Sequence, residues 1–225
     1  MTSTLRPHTC ALRSRPEARA STALACLLGV LLASCLPRGD PAVGDGFQDT
    51  FERTELGNNW RSTGGPFSIV DGKLKVKGAQ NRPLWLRRTL PRDARVEFDV
   101  RSESQDGDIK AELYGDGLSK ATDASYTATS YVVIFGGWKN SKNVIARMNE
   151  HGADRVVGKA RSVVPGRTYH MKIERKGDTI SAWVDGDLLA QMKDANPLAG
   201  SGHEYFAFNN WQAELWFDNL KITPL

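Results

Sequence analysis

From Phe47 to the end of the chain, apolar side chains recur at every second position, and short turn sequences separate the runs. The segment Arg95–Arg101 alternates cleanly, with Val96, Phe98 and Val100 on one face. Side chains of a β-strand point alternately to opposite faces, so this period predicts strands with one face in a core. No window of this region has the apolar stripe of a helix, and the pattern therefore predicts an all-β domain.

Tight turns separate several of the predicted strands. Asp71-Gly72 divides Phe67–Val70 from Lys73–Lys77, and Asp185-Gly186 follows another apolar run. The Asp-Gly pair is typical of hairpin turns, which need positive φ angles. A dozen or so strands at this spacing, in about 180 residues, predict an antiparallel β-sandwich of two sheets.

Two local patterns refine this prediction. Tyr131–Phe135 is apolar on both faces, as expected of a central strand that is covered on each side. In the last strand the apolar phase changes between Phe217 and Leu220, which predicts a β-bulge at Asp218-Asn219. Phe206 and Phe208 are predicted to point into the core.

The first 34 residues have the organisation of an export signal. An arginine-containing polar stretch precedes Ala23–Ala33, eleven apolar or small residues that are too few to span a bilayer. The ending Leu32-Ala-Ser-Cys35 resembles the bacterial lipobox, which implies cleavage before Cys35 and lipidation of its thiol. A plain secretory signal with an incidental cysteine is the alternative. Because Leu36 is not aspartate, the resemblance implies an outer-membrane destination.

Three segments follow from this reading: a signal peptide (1–34), a lipidated tether (35–46) and a β-sandwich domain (47–225). Removing residues 1–34 takes away four arginines and one glutamate, so the net charge falls from +4 to +1. A nearly neutral domain argues against nucleic acid as a partner. Cys35 is the last cysteine, so the domain has no disulfide and no thiol nucleophile.

Several motifs resemble a known superfamily. The segments Phe51–Arg53, Leu56–Trp60 and Gly65–Leu74 look like the opening of a concanavalin A-like lectin/glucanase domain, and Trp216–Ile222 is similar to its closing strand. Asp185-Gly186 followed by an apolar pair is similar to a laminin-G hairpin. The resemblance covers residues 47–225 and implies a jelly-roll sandwich whose last strand pairs beside its first. The superfamily includes lectins, carbohydrate-binding modules, laminarinase-type hydrolases and 3-keto-disaccharide hydrolase-like domains, so it does not fix the activity.

The residue pattern argues against catalysis of the laminarinase type. A retaining glycosidase needs two carboxylates about 5 Å apart. Glu97 and Glu103 would lie roughly 20 Å apart along an extended strand, so Glu97 and Asp99 are read as part of a solvated face. The 3-keto-disaccharide hydrolase-like domains tend to have polar or acidic residues where this chain has Val132 and Ile134.

Metal binding is not expected from the histidines, since none has a partner at the spacing of a zinc site. The superfamily resemblance implies a structural calcium near the termini that uses Asp49 or Asp218, with capping of the bulge as the alternative role of Asp218. No other cofactor is expected.

Two segments pair tryptophan with asparagine: Trp138 with Asn140 in a glycine-flexed loop, and Asn209 and Asn210 with Trp211 before the last strand. Aromatic planes stack on the C–H faces of sugars, and amides bind hydroxyls. Tyr114 and Tyr205, read as lying on the non-core faces of their strands, would extend such a platform. The alternative is that both tryptophans only cover the ends of the sandwich. Trp60, Trp183 and Trp216 are expected to pack in the core or between the sheets.

We therefore expect a lipid-anchored envelope protein whose lectin-like domain binds a glycan without catalysis. One alternative is a glycan hydrolase whose carboxylates come from separate strands or loops, namely from Glu112, Asp116, Glu150 or Glu204. The other is a structural lipoprotein that docks a protein of the envelope.

Overall fold

The structure, a computed structural model, describes residues 39–122 and 126–225. These residues form fifteen β-strands and one short helical turn, Gly137–Asn140. The strands are β1 (Phe47–Asp49), β2 (Trp60–Ser62), β3 (Ser68–Val70), β4 (Lys73–Lys77), β5 (Leu84–Leu86), β6 (Ala94–Ser102), β7 (Ile109–Gly115), β8 (Tyr131–Gly136), β9 (Lys142–Arg147), β10 (Val156–Val157), β11 (Thr168–Lys176), β12 (Thr179–Val184), β13 (Asp187–Lys193), β14 (Tyr205–Asn209) and β15 (Glu214–Pro224).

The strands form two antiparallel sheets, which confirms the predicted β-sandwich. The seven-stranded sheet has the order β10-β9-β8-β7-β14-β5-β2. The eight-stranded sheet has the order β13-β12-β11-β6-β15-β4-β3, with β1 paired to β15. The last strand therefore lies beside the first, and β8 lies inside its sheet between β7 and β9, both as predicted.

The core lies between the two sheets and is built from the alternating residues of their inner faces. Phe98, Phe206 and Phe208 are fully buried there. The rings of Phe98 and Phe208 meet edge to face, with centroids 5.2 Å apart. Such pairs favour this geometry because the ring edge is positive and the ring face is negative. The inward assignment of these three phenylalanines is confirmed.

The turns and the bulge predicted in the last strand are also confirmed. Asp71 and Gly72 have φ angles of 48° and 67°, and Asp185 and Gly186 have 53° and 86°. The pairing of β15 with β6 shifts register between Asp218 and Lys221, which makes the bulge.

The predicted packing of three tryptophans holds for only one of them. Trp60 is buried in the core, whereas Trp183 and Trp216 lie half-buried on the outer face of the eight-stranded sheet. Each alternates with core residues along its strand, so it must point away from the core. The ammonium of Lys172 lies 4.0 Å from the ring centroid of Trp183, and that of Lys75 lies 4.5 Å from the ring of Trp216.

The described end of the predicted tether packs on the domain. Val43 is buried in the core cluster and donates its N–H to Thr89 O, at 2.9 Å. The carboxylate of Asp40 contacts Arg61 at 2.6 Å and Arg87 at 3.2 Å. Residues 40–46 are therefore fixed on the sandwich, beside the β2–β5 edge of the seven-stranded sheet.

The predicted signal peptide and Cys35 lie outside the described residues. In residues 39–122 and 126–225, no helix has both the length and the apolar character that a membrane span requires.

Candidate functional site

The outer face of the seven-stranded sheet carries both an apolar patch and buried charges. In β7, Ile109, Ala111 and Leu113 point into the core, so Lys110 and Glu112 point to the outer face. Yet both charged side chains are buried, with 2% and 0% of their surface exposed. Something therefore covers this face of the sheet.

The cover is made by two segments that pack on the central strands. Val132, Ile134, Val144 and Ala146 of β8 and β9 form a small apolar cluster on the outer face, together with Ala128. Tyr126 and Trp138 pack against it from above. The sheet is thus covered on both sides here, which explains the apolar outer faces of β8 and β9.

Trp138 lies in a left-handed turn between β8 and β9. Gly136, Trp138, Lys139 and Asn140 all have positive φ, between 50° and 75°. Non-glycine residues pay about 1–2 kcal/mol each for this conformation. The side chain of Asn140 holds the turn, because its amide donates to Gln105 O and Val163 O and its carbonyl accepts from Val163 N.

Trp211 lies in the loop between β14 and β15 and is 42% exposed. Its backbone N–H donates to Asp108 Oδ2 at 2.6 Å. The neighbouring Asn210 is fully buried and accepts from Ala79 N, while its amide donates to Ala213 O. These bonds fix the loop and leave the indole at the surface.

The two tryptophans line the same cavity, which has a volume of about 750 Å³. Ligand pockets of proteins typically have volumes of roughly 300–1,000 Å³. The other aromatic rings in the lining are those of Tyr126 and His151, and the polar lining residues are Asn81, Asp106, Asp108, Lys110, Thr127, Lys139, Asn149, Glu150 and Gln212. The ring of His151 meets Trp138 edge to face at 5.6 Å.

Lys110 is the buried cation of the cavity floor. Its ammonium donates to Glu150 Oε2 at 2.7 Å and to Asn81 Oδ1 at 2.9 Å. Burial alone would lower the pKa of Lys110, but the carboxylates of Asp108, Glu150 and Glu112 outweigh it and raise the pKa above its ordinary value. Burial also raises the pKa of Asp108, and the charge of Glu150 adds to this effect.

Glu112 lies next to Lys110 on β7 and is held by three side chains. Its carboxylate accepts from Ser130 Oγ at 2.5 Å, from Asn209 Nδ2 at 2.7 Å and from the phenol of Tyr126 at 2.8 Å. Burial raises the pKa of Glu112 although these hydrogen bonds act in the opposite direction. The network fixes Tyr126 against the sheet and so shapes one wall of the cavity.

The assignment of Tyr114 to the non-core face is wrong. Tyr205 pairs with Gly115 and Phe206 pairs with Leu113, so Tyr114 is the extra residue of a bulge. Its φ of 60° turns the side chain into the core, where 2% of it is exposed and its ring meets Tyr131.

Tyr205 is half-buried but is not part of the cavity lining. Burial, and then the nearby carboxylate of Asp40, raise the pKa of its phenol. Its place is beside the docked N-terminal segment, so the predicted platform of Tyr114 and Tyr205 does not form.

The three asparagines predicted to bind sugar directly use their amides inside the protein. Asn209 and Asn210 are fully buried, and Asn140 is anchored at both ends of its amide. An amide that is already bonded on both sides has little left for a ligand. The structure instead gives these residues a positioning role under Trp138 and Trp211.

Asp49 and Asp218, considered for a structural calcium, each contact a cation of the protein. Asp49 accepts from Arg53 and from Trp60 Nε1, and Asp218 pairs with Lys73. In the part of the chain that the structure describes, no three His, Asp or Glu side chains form a group that could hold a metal ion.

Of the other carboxylates considered for catalysis, only two belong to the cavity region. Glu150 lines the cavity and Glu112 lies beneath it. Asp116 instead caps a turn through Leu118 N and Ser119 N, and Glu204 lies beside Gly115 outside the lining.

Glu97 and Asp99 lie on the eight-stranded sheet, where both contact His170. They are therefore on the opposite side of the sandwich from the cavity.

Several lining residues were not predicted: Asp108, Lys110, Tyr126 and His151. Lys110 had a visible signal, because a charge between core residues in a central strand must lie on the other face. Tyr126 and His151 had none, since each lies in an irregular loop, outside the strands whose alternation shows which face a residue takes.

Two comparisons with solved structures support the fold. The carbohydrate-binding module CBM66 from Bacillus subtilis is 17% identical, with a TM-score of 0.53, over 74% of this chain and 97% of that chain. A protein of unknown function with a galectin-like fold, also from Bacillus subtilis, is 13% identical, with a TM-score of 0.61, over 79% and 94%. Both likenesses support the jelly-roll β-sandwich that the sequence motifs predicted.

Sequence comparison identifies the family. The extracellular exo-alpha-L-arabinofuranosidase of Streptomyces chartreusis is 22% identical over 141 residues, which are 62% of this chain but only 16% of that protein. Residues 46–223 match the family described as the 3-keto-alpha-glucoside-1,2-lyase-like domain. This match extends over nearly the whole sandwich, from β1 to β15, and the chain therefore belongs to the 3-keto-alpha-glucoside-1,2-lyase-like domain family.

Proposed function

We propose that the cavity on the outer face of the seven-stranded sheet binds a saccharide and that the domain acts by binding rather than by catalysis. The observation that carries this proposal is the position of Trp138 and Trp211, which come from separate loops and line one cavity of about 750 Å³. Tyr126 adds a third aromatic ring, and polar side chains form the floor. Most ligand sites combine an apolar lining with a few fixed polar groups in this way.

The aromatic rings suit the C–H faces of a sugar ring, and the carboxylates of Asp108 and Glu150 suit its hydroxyl groups. Stacked aromatic contacts contribute about 0.5–1.5 kcal/mol beyond burial. Two such contacts together strengthen binding by about 1–3 kcal/mol, or roughly 5- to 150-fold. Presentation of many copies on a membrane would add avidity to a site of modest affinity.

Replacement of each tryptophan by alanine tests this role. We expect Trp138→Ala and Trp211→Ala each to weaken saccharide binding about tenfold, or about 1.4 kcal/mol, on a glycan array and in polysaccharide pull-down. Trp211 is 42% exposed, so its loss should change the free energy of unfolding little. Trp183→Ala is the matched control, because Trp183 lies on the opposite sheet against Lys172.

Two results would contradict the binding role. If both variants unfold the domain, the tryptophans are packing residues. If the folded wild type binds no saccharide on a broad array, docking of an envelope protein becomes the better hypothesis.

A catalytic role is the second candidate, favoured by the group of buried charges. Asp108, Glu112 and Glu150 surround Lys110, and the pKa values of Asp108 and Glu112 are raised. Perturbed carboxyl groups of this kind are common in active sites. The family name describes a lyase of 3-keto-glucosides, and the curated relative is a glycosidase.

We favour binding because Val132 and Ile134 give the central strand an apolar outer face, where domains of the 3-keto-disaccharide hydrolase type tend to have polar residues. Catalysis would release reducing sugar from a bound saccharide, and Asp108→Asn or Glu150→Gln would abolish the release. Binding without release, in the wild type, supports the first candidate.

For the location of the protein, we propose a lipid anchor at Cys35 in the outer membrane of a bacterial envelope. The support is the order of charged region, apolar run and lipobox-like ending in residues 1–35. Cys35→Ala should lose labelling by a fatty acid and leave the membrane fraction, whereas Cys26→Ala, a second cysteine of the same segment, should keep both. Labelling that persists in Cys35→Ala would end this proposal.

A further inference from the structure

From the charges around the cavity we propose that it takes uncharged saccharides and rejects those that carry a carboxylate or sulfate group. This inference rests on the saccharide-binding role proposed above and names the chemical class of the ligand. The support is the position of the cations around the cavity and the presence of carboxylates that already neutralise the buried one.

Among the lining residues that the structure describes, Lys110 is the only deeply buried cation. Its ammonium already has two hydrogen-bond partners. Glu150 Oε2 lies 2.7 Å from Nζ and Asn81 Oδ1 lies 2.9 Å from it. A buried ion pair with a hydrogen-bonded neighbour has little attraction left for a second anion.

The remaining charged groups of the floor are acidic. Asp108 lines the cavity, and Glu112 lies beneath it in the network of Tyr126 and Asn209. The anionic group of a sugar bound at the floor would lose its hydration without gaining a free cation as a partner. A buried charge without a partner is strongly unfavourable.

The other basic groups near the cavity are at its rim or behind its wall. Lys139 is exposed, and the side chain of His151 is 65% exposed. The guanidinium of Arg155 and the ammonium of Lys142 lie against the ring of Trp138, at 5.2 Å and 5.8 Å from its centroid. Cations in water at the rim stabilise an anion at the floor weakly, because solvent screens them.

A neutral sugar fits the same groups well. Its hydroxyl groups can donate to the carboxylates of Asp108 and Glu150, because an ionised carboxylate accepts hydrogen bonds and donates none. Its C–H faces contact Trp138 and Trp211. No charge has to be neutralised for it to enter.

The test compares matched saccharides on the same protein. Full-length protein is probed with oligosaccharides of glucose, galactose and mannose, and with the oligosaccharides of the corresponding uronic acids. We expect each bound neutral sugar to bind at least about tenfold tighter than its uronic acid. A uronic acid that binds as tightly as its neutral counterpart, or more tightly, overturns the inference while leaving the saccharide-binding role intact.

A variant tests the cause. Glu150→Gln removes the carboxylate that is hydrogen-bonded to Lys110, so the ammonium is less neutralised and can attract an anion. The preference for neutral sugars should then shrink several-fold. Glu103→Gln is the control, since Glu103 pairs with Arg101 on the surface. An unchanged preference in folded Glu150→Gln contradicts the assignment of Lys110. If that variant does not fold, the comparison of wild-type ligands still decides. If neither class of sugar binds, the saccharide-binding role itself fails.

Discussion

Glu112 is a buried carboxyl group whose hydrogen bonds hold the floor of the cavity together. Tyr126, Ser130 and Asn209 all donate to it. Burial raises its pKa and opposes these bonds, which favour the charged form. The net effect is a raised pKa in the folded state, and a pKa that differs between the folded and unfolded states makes the stability of the domain depend on pH.

The sign of this dependence can be worked out for Glu112. Its pKa is raised in the folded state above the ordinary value of 4.5, so the folded protein keeps the proton at pH values where the unfolded chain has lost it. Folding is therefore favoured below the ordinary value, and this advantage is lost as pH rises through the folded pKa. Glu112→Gln removes the titration, so the difference in unfolding free energy between wild type and variant should fall as pH rises.

The measurement is urea unfolding of both proteins between about pH 4 and pH 8. Asp108, whose pKa is also raised, titrates in both proteins and cancels in the difference. A difference that stays constant with pH would show that Glu112 does not titrate abnormally.

At the scale of single elements, the turn Gly137–Asn140 decides where Trp138 lies. Three successive non-glycine residues have positive φ there, so this conformation lowers the free energy of unfolding. Asn140 tolerates it better than most residues, and its bonds to Gln105 and Val163 hold the turn in place.

We expect Asn140→Ala to lower the free energy of unfolding by about 2–3 kcal/mol, since it removes three hydrogen bonds. The variant should also weaken saccharide binding, because the turn no longer holds Trp138 in place. Asn140→Gly separates the two causes, because glycine adopts positive φ without strain but makes none of the bonds. Urea unfolding and binding to the same saccharide are measured for both variants. Full recovery of binding in Asn140→Gly would contradict the anchoring role.

The sequence could predict the alternating strands and the bulge in β15 but not the bulge at Tyr114, for a physical reason. The bulge at Asp218-Asn219 lies inside a long strand, so the apolar phase is visible on both sides of it. The bulge at Tyr114 lies at the end of β7, where only Gly115 follows in the strand, and the change of phase leaves no trace. Tyr114 was therefore assigned to the wrong face.

The candidate site shows the same limit. Trp138 and Trp211 were predicted as a pair because each lies beside asparagine in a loop between apolar strands. Their sharing of one cavity depends on β7 lying between β8 and β14, a pairing of segments far apart in the chain. The sequence predicts Asn140, Asn209 and Asn210 as ligand contacts, but only their environment shows that both sides of each amide are bonded inside the protein.

At the scale of the whole molecule, the sandwich begins before Phe47, because residues 40–46 are fixed on it. Val43 packs in the core, and backbone bonds join Val43 to Thr89 and Thr89 to Pro41. Asp40 adds two arginine partners at the β2–β5 edge. In the sheet, β14 lies between this edge and β7, which carries the floor of the cavity.

This arrangement predicts that the N-terminal segment can be loosened without loss of ligand binding. Val43→Ala removes two buried methyl groups and should lower the stability of the segment by about 1.5–2.5 kcal/mol. Because the segment is held at one edge only, the loss should appear first as local opening. Hydrogen exchange at the amides of Val43 and Thr89 should then quicken by at least tenfold, which corresponds to about 1.4 kcal/mol, while saccharide affinity stays unchanged. Asp45→Asn, an exposed change in the same segment, is the control. If exchange at Val43 and Thr89 is no faster in Val43→Ala, or if affinity falls together with it, the segment is not an independently held edge and the cavity depends on it.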